Sequence, residues 1–300
     1  MSKRALLLIN RQARSGQRFF AQVIDTLDNF GFELITVPSQ NAQAWPDLIA
    51  YHAATVDLVI VGGGDGTLNR VVNSLVDHQL PLGILPLGTA NDLARTLQLP
   101  YNLPEACRVI AEGHTKKIDL GVVNGHCYFN VASLGLSVDI TQKLTQGAKQ
   151  RWGILAYAIT ALQVLSQLRL FHATLRYEGQ SLRVKTLQIA IGNGRYYGGG
   201  LAVAADATID DQRLDIYSLE VRHWWQVFSL LFHLPRGQQQ LLPWVRTIQT
   251  DAIQILTSRP RPINTDGELT TQSPAKFSLL PQALSVFVPA PDAPWLRNGY

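Results

Sequence analysis

The sequence predicts an α/β N-terminal domain, doubly wound around a mainly parallel sheet, followed by a mainly-β, sandwich-like C-terminal domain. Three observations lead there. Strand and helix patterns alternate with short connections from residue 5 to residue 113. Strand patterns dominate beyond residue 118. Two glycine-containing loops, Gly62–Thr67 and Gly88–Asp92, each follow a strand and open a helix. A chain of 300 residues fits about two domains, and the pattern change places them at 1–124 and 125–300, with the last residues packing back on the first domain.

In the first domain, Ala5–Ile9 reads as a strand and Asn10–Gly16 as a polar loop. Phe19, Phe20, Val23, Ile24, Leu27 and Phe30 then recur at helical spacing up to Gly31, a helix stop. Leu34–Val37 is a second strand, and Trp45–Ala54 a helix entered through Pro46-Asp47. Val56–Val61 is β-branched and apolar around one Asp, which predicts a buried strand. After Gly62–Gly64 a helical pattern begins near Thr67 with Leu68, Val71, Val72, Leu75 and Val76. Pro81–Leu85 is a short strand leading into the second loop, and Leu103–Glu112 is a helix capped by Gly113.

In the second domain, Ile118–Val123 and Cys127–Ala132 flank Asn124-Gly125, a two-residue hairpin signal. Strands follow at Ala173–Tyr177, Leu182–Ile191, Leu214–Leu219, Thr247–Leu256, Ala275–Leu280 and Leu284–Val288. Tight connections at Glu178-Gly-Gln and Asp266-Gly267 argue for antiparallel pairing. Helical inserts are expected around Trp152–Leu168 and His223–Leu234.

Strand, glycine loop and helix N-terminus together form an anion-binding arrangement, because unpaired N–H groups and the positive end of the helix dipole face the ligand. A carboxylate in such a loop repels phosphate, so Asp65 points to a divalent metal. The bland alternative for a glycine triplet is a plain tight turn. In open α/β sheets ligands sit at the carboxyl ends of the strands, where both loops fall. A nucleotide site in the cleft between the two domains is the resulting expectation.

Composition narrows the class. Apolar residues make up 46% and charged residues 16%, which suits a packed core and argues against disorder. Cys107 and Cys127 have neither metal-ligand spacing nor a disulfide framework. The apolar run after Lys3-Arg4 is too short for a secretory signal, and Trp152–Leu165 too short to span a bilayer. A cytoplasmic chain, peripheral at the inner face of the membrane, is expected. The net charge of +4 is uneven: residues 141–200 hold eight Lys and Arg (143, 149, 151, 169, 176, 183, 185 and 195) against Glu178, a net +7. That segment suits an anionic surface or is merely a solvated basic one. Trp224, Trp225, Phe228, Leu231 and Phe232 make either a membrane-contacting helix or one docked on the β-domain.

Gly63-Gly-Asp-Gly-Thr67, Leu87-Gly-Thr-Ala-Asn-Asp-Leu-Ala94, Gly192-Asn-Gly194 and Asp266-Gly-Glu268 occur in that order. Together they resemble the diacylglycerol kinase catalytic-domain family, in particular the bacterial YegS/DgkB-type lipid kinases, over nearly the whole chain. The resemblance implies an ATP- and Mg²⁺-dependent kinase acting on a lipid hydroxyl. It also implies a lipid substrate, reversible peripheral membrane contact and no nucleic-acid partner, and leaves the oligomeric state open. By resemblance Gly64, Asp65, Gly66, Thr67, Leu68, Asn69 and Arg70 hold the ATP phosphates with Asp65 near magnesium. Thr89 binds nucleotide, Asn91, Asp92 and Asp119 belong to the same network, and Ser39 takes a nucleotide-contacting position after the second strand. Glu268 is implied as the base that accepts the lipid hydroxyl proton, with Asp65 as its catalytic partner; from composition alone it reads as an exposed turn residue. Asp92 and Asp119 also admit simpler readings, as a helix cap and a strand opener.

Asp206, Asp210, Asp211 and Asp215 are either a solvated loop or an oxygen-ligand cation site. The resemblance implies a structural magnesium on the Asp211 side chain and the carbonyls of Thr208 and Arg213. The chain departs from the family pattern at Arg11 (usually Pro), Arg70 (often Glu) and Gln212 (usually Gly). Two other functions fit parts of the pattern: an NAD kinase, which shares the first loop, and a catalytically silent lipid-binding regulator that keeps the fold.

Overall fold

The strands Leu58–Gly63 and Leu82–Pro86 are buried at every residue, and such strands need cover on both faces. The computed structural model describes residues 3–10, 16–37, 42–138, 170–202, 207–221, 226, 233 and 239–293. Its first part runs β1 (Arg4–Ile9), α1 (Gly16–Asn29), β2 (Glu33–Thr36), α2 (Trp45–His52), β3 (Leu58–Gly63), α3 (Asp65–Asp77), β4 (Leu82–Pro86), α4 (Asp92–Thr96) and α5 (Leu103–Glu112). The second part contains β5 (Thr115–Val123), β6 (His126–Tyr128), β7 (Val131–Gly135), β8 (Phe171–Tyr177), β9 (Gln180–Thr186), β10 (Gln188–Gly192), β11 (Tyr196–Tyr197) and β12 (Leu201–Ala202). It continues through β13 (Leu214–Leu219), β14 (Val245–Thr250), β15 (Ala252–Thr257), β16 (Pro262–Thr265), β17 (Glu268–Gln272) and β18 (Ala275–Phe287).

The chain forms two compact units: Met1–Leu120 with Gly198–Gly200 and Leu280–Tyr300, and Gly121–Tyr197 with Leu201–Leu279. β5 and β18 each give one end to either unit.

In the first unit, β2, β1, β3, β4 and the C-terminal end of β18 lie side by side and parallel. Leu7, Ile9, Leu58, Ile60 and Leu85 bury one face against Val23 and Leu27 of α1 and Cys107 and Ile110 of α5. The alternate residues Leu6, Leu8, Val59 and Val61 are equally buried, as strand periodicity requires of a sheet covered on both sides. α2 packs on α3 and α3 on β3. α5 is bounded as the residues dictate: the Asn102 side chain accepts the Glu105 N–H, Pro104 stands in the first turn, and Gly113 adopts φ 80° at the end.

The second unit has two antiparallel sheets, β18-β15-β8-β9 and β14-β13-β10-β7-β16-β17. Ala173, Leu175, Val184, Ile253, Ile255 and Phe277 from the first meet Leu134, Ile189, Ile191, Leu214, Ile216 and Ile263 from the second in one core, the sandwich arrangement the strand pattern predicts. Tight hairpins join β5 to β6, β8 to β9 and β16 to β17, each with positive φ at both loop residues: Asn124-Gly125, Glu178-Gly179 and Asp266-Gly267.

Several predicted elements need correction. Leu182–Ile191 is two strands, β9 and β10, in different sheets, and Thr247–Leu256 is likewise β14 and β15. The same device turns both corners: the Thr186 hydroxyl accepts the Gln188 N–H and donates to a carbonyl, and Thr250 does so with Ala252. Cys127–Ala132 also breaks, into β6 and β7, while Ala275–Leu280 and Leu284–Val288 join as β18. The α3 helix begins at Asp65, two residues before the expected Thr67. β16 and β17 are not among the predicted strands, although the tight antiparallel connection between them at Asp266-Gly267 is expected. The predicted helix Trp152–Leu168 lies outside the described residues, as does His223–Leu234 apart from Gln226 and His233. No helix among the described residues is long and apolar enough to cross a membrane.

Candidate active site

The first unit brings the two glycine loops together backbone to backbone. A Cβ built on Gly88 would stand 2.4 Å from Gly64 Cα and 2.7 Å from Asn91 Oδ1, and one on Gly64 would stand 3.0 Å from Gly88 Cα. Only glycine permits this approach. The Leu87 N–H donates to Gly63 O at 3.0 Å, which closes the contact. Asn91 then fixes the second loop: its Oδ1 accepts the Gly88 N–H at 2.9 Å and its Nδ2 donates to Gly88 O at 3.0 Å. It does so from a left-handed conformation, φ 50° and ψ 45°, which Asn tolerates better than most residues.

Asp65 is the first residue of α3, yet its carboxylate serves α4. Oδ2 accepts the Asp92 N–H at 3.1 Å and Oδ1 the Leu93 N–H at 3.0 Å. Asp65 thus caps α4 from a distant point in sequence, and Asp92 is not the cap: the N-cap is Asn91, which makes no side-chain capping bond. The N–H groups of Asp65 and Gly66, first in α3, have no carbonyl one turn back to reach. Thr67 accepts from Asn10 Nδ2 at 3.3 Å.

Asp92 is 4% exposed. Its Oδ2 accepts the Gly199 N–H at 2.9 Å, and its Oδ1 is buried with no hydrogen-bond partner. Burial pushes the carboxyl up from 3.8 to about 6, the charge of Asp65 adds to the rise, and the N–H groups of Gly199 and Gly200 and the charge of Arg95 oppose it. A buried carboxylate oxygen without a partner is costly, and it fits a cation that enters with a ligand. Gly198–Gly200, all at positive φ, supply the other wall.

The remaining expected residues are less uniform. Thr89 is exposed in its loop and Arg70 is exposed on α3. Asn69 is buried, and the Leu68 side chain faces the core at 3% exposure, so only its backbone could meet a ligand. Asp119 sits in the middle of β5 rather than opening it, and its Oδ1 accepts the Gln282 N–H of β18 at 2.7 Å. Ser39 lies outside the described residues.

In the second unit, the Asp-Gly-Glu hairpin is held by its first residue. The Asp266 carboxylate accepts the N–H groups of Phe129 (2.8 Å), Asn130 (2.9 Å) and Val131 (3.2 Å). These three bonds fall where the predicted strand Cys127–Ala132 breaks. Asn264 Oδ1 accepts the Gly267 N–H at 2.8 Å. Asn193 Nδ2 donates to Phe129 O at 2.7 Å, and the Asn193 and Gly194 N–H groups both donate to Asn130 O. Glu268, half-buried at the start of β17 opposite Thr265, rides on this fixed tip. A carboxylate on a rigid hairpin can serve as a general base.

At the acidic loop, Asp211 accepts the N–H groups of Thr208 (3.1 Å) and Arg213 (3.3 Å), and Arg213 Nε stands 3.3 Å from its Oδ2. Gln212 takes φ 58°, a conformation that favours glycine. Any cation on Asp211 must compete with that guanidinium. Among the described residues there is no cluster of three or more His, Cys, Asp or Glu side chains that could hold a metal.

Sequence reasoning passed over Asn10, Gly198–Gly200, Asn264 and the organising role of Asp266. The glycine triplet and the polar residue ending β1 were visible signals. The bonds of Asn264 and Asp266 depend on strand pairing and leave no local trace.

Residues 4–123 match the family described as diacylglycerol kinase catalytic domain. Residues 130–288 match the YegS C-terminal NAD kinase beta sandwich-like domain. The chain is similar to the diacylglycerol kinase of Staphylococcus carnosus (strain TM300), 29% identical over 296 residues that cover 96% of each protein. It is 28% identical to that of Staphylococcus epidermidis over 296 residues, 96% of this chain and 93% of the relative. A crystal structure from Bacillus anthracis str. Sterne superposes with a TM-score of 0.84 at 25% identity, covering 96% of this chain and 95% of that one. A diacylglycerol kinase structure from the same organism gives 0.75 at 23% identity, covering 96% and 97%.

Proposed function

The chain belongs to the diacylglycerol kinase family, and on that premise we propose that it transfers the γ-phosphoryl group of ATP to a hydroxyl of a diacylglycerol-like or phosphatidylglycerol-like lipid. The observation that supports this most is the double loop of the first unit, with Gly64 against Gly88, Asp65 capping α4, and a buried Asp92 oxygen without a partner. Phosphoryl transfer needs positioned phosphates, neutralised charge and an oriented nucleophile. The N–H groups at the start of α3 and the exposed Thr89 bind and orient the phosphates. Mg²⁺ carried with ATP fits the free oxygen of Asp92, with Asp65 beside it, and would neutralise developing phosphate charge there. Glu268 accepts the proton of the lipid hydroxyl. Asp119 contributes by holding β18.

The same reading makes the enzyme peripheral and reversibly membrane-associated. A second Mg²⁺ is proposed at Asp211 with the carbonyls of Thr208 and Arg213, in competition with the Arg213 side chain. An NAD kinase shares the first glycine loop, but Asn91-Asp92 and Asp266-Gly-Glu268 have no place in that reading. Incubation with radiolabelled ATP over a mixed lipid panel and, in parallel, with NAD, with the labelled products identified, is the test. Labelled lipid supports the reading; labelled NAD or unlabelled lipid overturns it.

A further inference from the structure

Three cations of the basic segment 141–200 reappear together in the fold. Side chains of β8 alternate between core and solvent, and His172, Thr174 and Arg176 face outward. On β9 the outward residues are Ser181, Arg183 and Lys185. The registers line them up across the sheet β18-β15-β8-β9. Lys276, Gln254, Arg176 and Ser181 form one row, Leu256, Thr174 and Arg183 the next, and His172 and Lys185 a third. With strands about 4.8 Å apart, Arg176, Arg183 and Lys185 are near neighbours, and Lys276 lies two strands from Arg176. None of these cations has an ion pair among the described residues, whereas Arg213 and Arg246 of the same unit are paired with Asp211 and Glu220. The rows contain no acid; Glu178 and Asp251 stand at strand ends outside them. Single-sign faces cost stability through like-charge repulsion, and ordinary surfaces mix the signs.

We propose that this outer face is the surface by which the protein docks on an anionic membrane. The four cations are exposed, so they reach a plane of headgroups within about one Debye length, roughly 8–10 Å. A groove of about 450 Å³ along the first row, lined by Arg176, Ser181, Gln254 and Lys276 and also by Glu178, sets two cations against one acid and leaves room for an anionic headgroup beside Arg176 and Lys276. Nucleic acid fits less well, because His172 is the one outward row residue with a ring that could stack on a base. The identity of the surface rests on the lipid-kinase reading; the location of the face does not.

The test is co-sedimentation of the full chain with phosphatidylglycerol–phosphatidylcholine vesicles and with pure phosphatidylcholine vesicles, at low and high salt. The double variant R183E/K185E should lose about tenfold or more of its partitioning onto the anionic vesicles. It should keep turnover on detergent-dispersed lipid, since neither residue belongs to the reaction machinery. The charge-matched variant R108E/K117E, on exposed positions of the first unit, serves as control. Unchanged binding of R183E/K185E, or an equal loss in the control, overturns the proposal. Loss of a dimer on reversal, or tighter binding to RNA than to vesicles, overturns it in favour of another partner. Vesicle binding through this face without lipid turnover would leave the docking surface standing and sink the lipid-kinase reading instead.

Discussion

Asp65, at the start of α3, accepts the backbone N–H of Asp92, at the start of α4, at 3.1 Å, with Leu93 N–H on its other oxygen. One carboxylate therefore locks the two glycine loops into a single unit and raises the proton affinity of the other carboxylate beside it. The sequence reading made Asp65 a metal-associated residue; the structure adds a capping role that any substitution also removes.

Asp65→Asn replaces one acceptor with a donor facing an N–H group. Losing a charge-assisted bond to a helix N-terminus costs about 1–3 kcal/mol. The melting temperature should fall and ATP affinity with it, because the second loop loses its anchor. Thermal melts and nucleotide titration check both. A variant with weakened ATP binding and unchanged stability would show that capping is not what Asp65 contributes.

Asp92 gives a pH dependence whose sign is fixed. Its folded carboxyl titrates near 6 against 3.8 when solvated, mainly through burial. The folded state holds this proton more tightly, so the contribution is fully present below about pH 3.8 and lost as pH rises through about 6. A difference of that size is on the order of 2–3 kcal/mol. Asp92→Asn keeps the acceptor for Gly199 N–H without the charge. The ligand-free variant should melt a few degrees higher than wild type near neutral pH, lose the stability slope between pH 4 and 6, and lack kinase activity. Melting curves across pH decide it; an unchanged slope would remove Asp92 as its source.

Gly88→Ala drives a methyl into Gly64 and Asn91. Overpacking against backbone costs about 1–3 kcal/mol, and the loops must part. Gly64→Ala, whose built Cβ meets Gly88 Cα at 3.0 Å, should be milder. Nucleotide titration of the two variants should rank them in that order.

The first unit was legible because its signals are local. Buried runs such as Val56–Val61, the cap at Asn102 and the stop at Gly113 each announce an element within a few residues. The second unit was legible in kind but not in segmentation. Apolar alternation continues through Thr186–Gln188 and Thr250–Ala252, where the chain changes sheets, and a two-residue period cannot register a corner made by a hydroxyl. Asp65 and Asp266 were both visible as acids in loops. Their partners, 27 residues and more than 130 residues away, were not.

A cation proposed at Asp211 would compete with the Arg213 guanidinium for one carboxylate. Mg²⁺ stabilises the folded state only as far as it wins that competition. Arg213→Ala should therefore show a larger Mg²⁺-induced rise in melting temperature than wild type, and Asp211→Ala none. Equal responses to chelator in all three proteins would place the cation elsewhere.

Asp266 and Glu268 share a hairpin and should fail in different ways. Asp266→Asn removes a carboxylate that accepts three N–H groups, so it should destabilise the second unit and lower activity only as a consequence. Glu268→Gln keeps shape and volume, leaves that network untouched and deletes the basic oxygen. If Glu268 takes the lipid hydroxyl proton, turnover should fall by about 10²-fold or more while the melting temperature stays near wild type. ATP affinity should barely change, because the phosphates are assigned to the first unit. Steady-state kinetics with lipid and ATP varied separately, alongside melting curves, tell the cases apart. Near-normal lipid phosphorylation by Glu268→Gln would remove the proposed base, and the role would then pass to another carboxylate, Asp92 or Asp119, or to substrate positioning without a base.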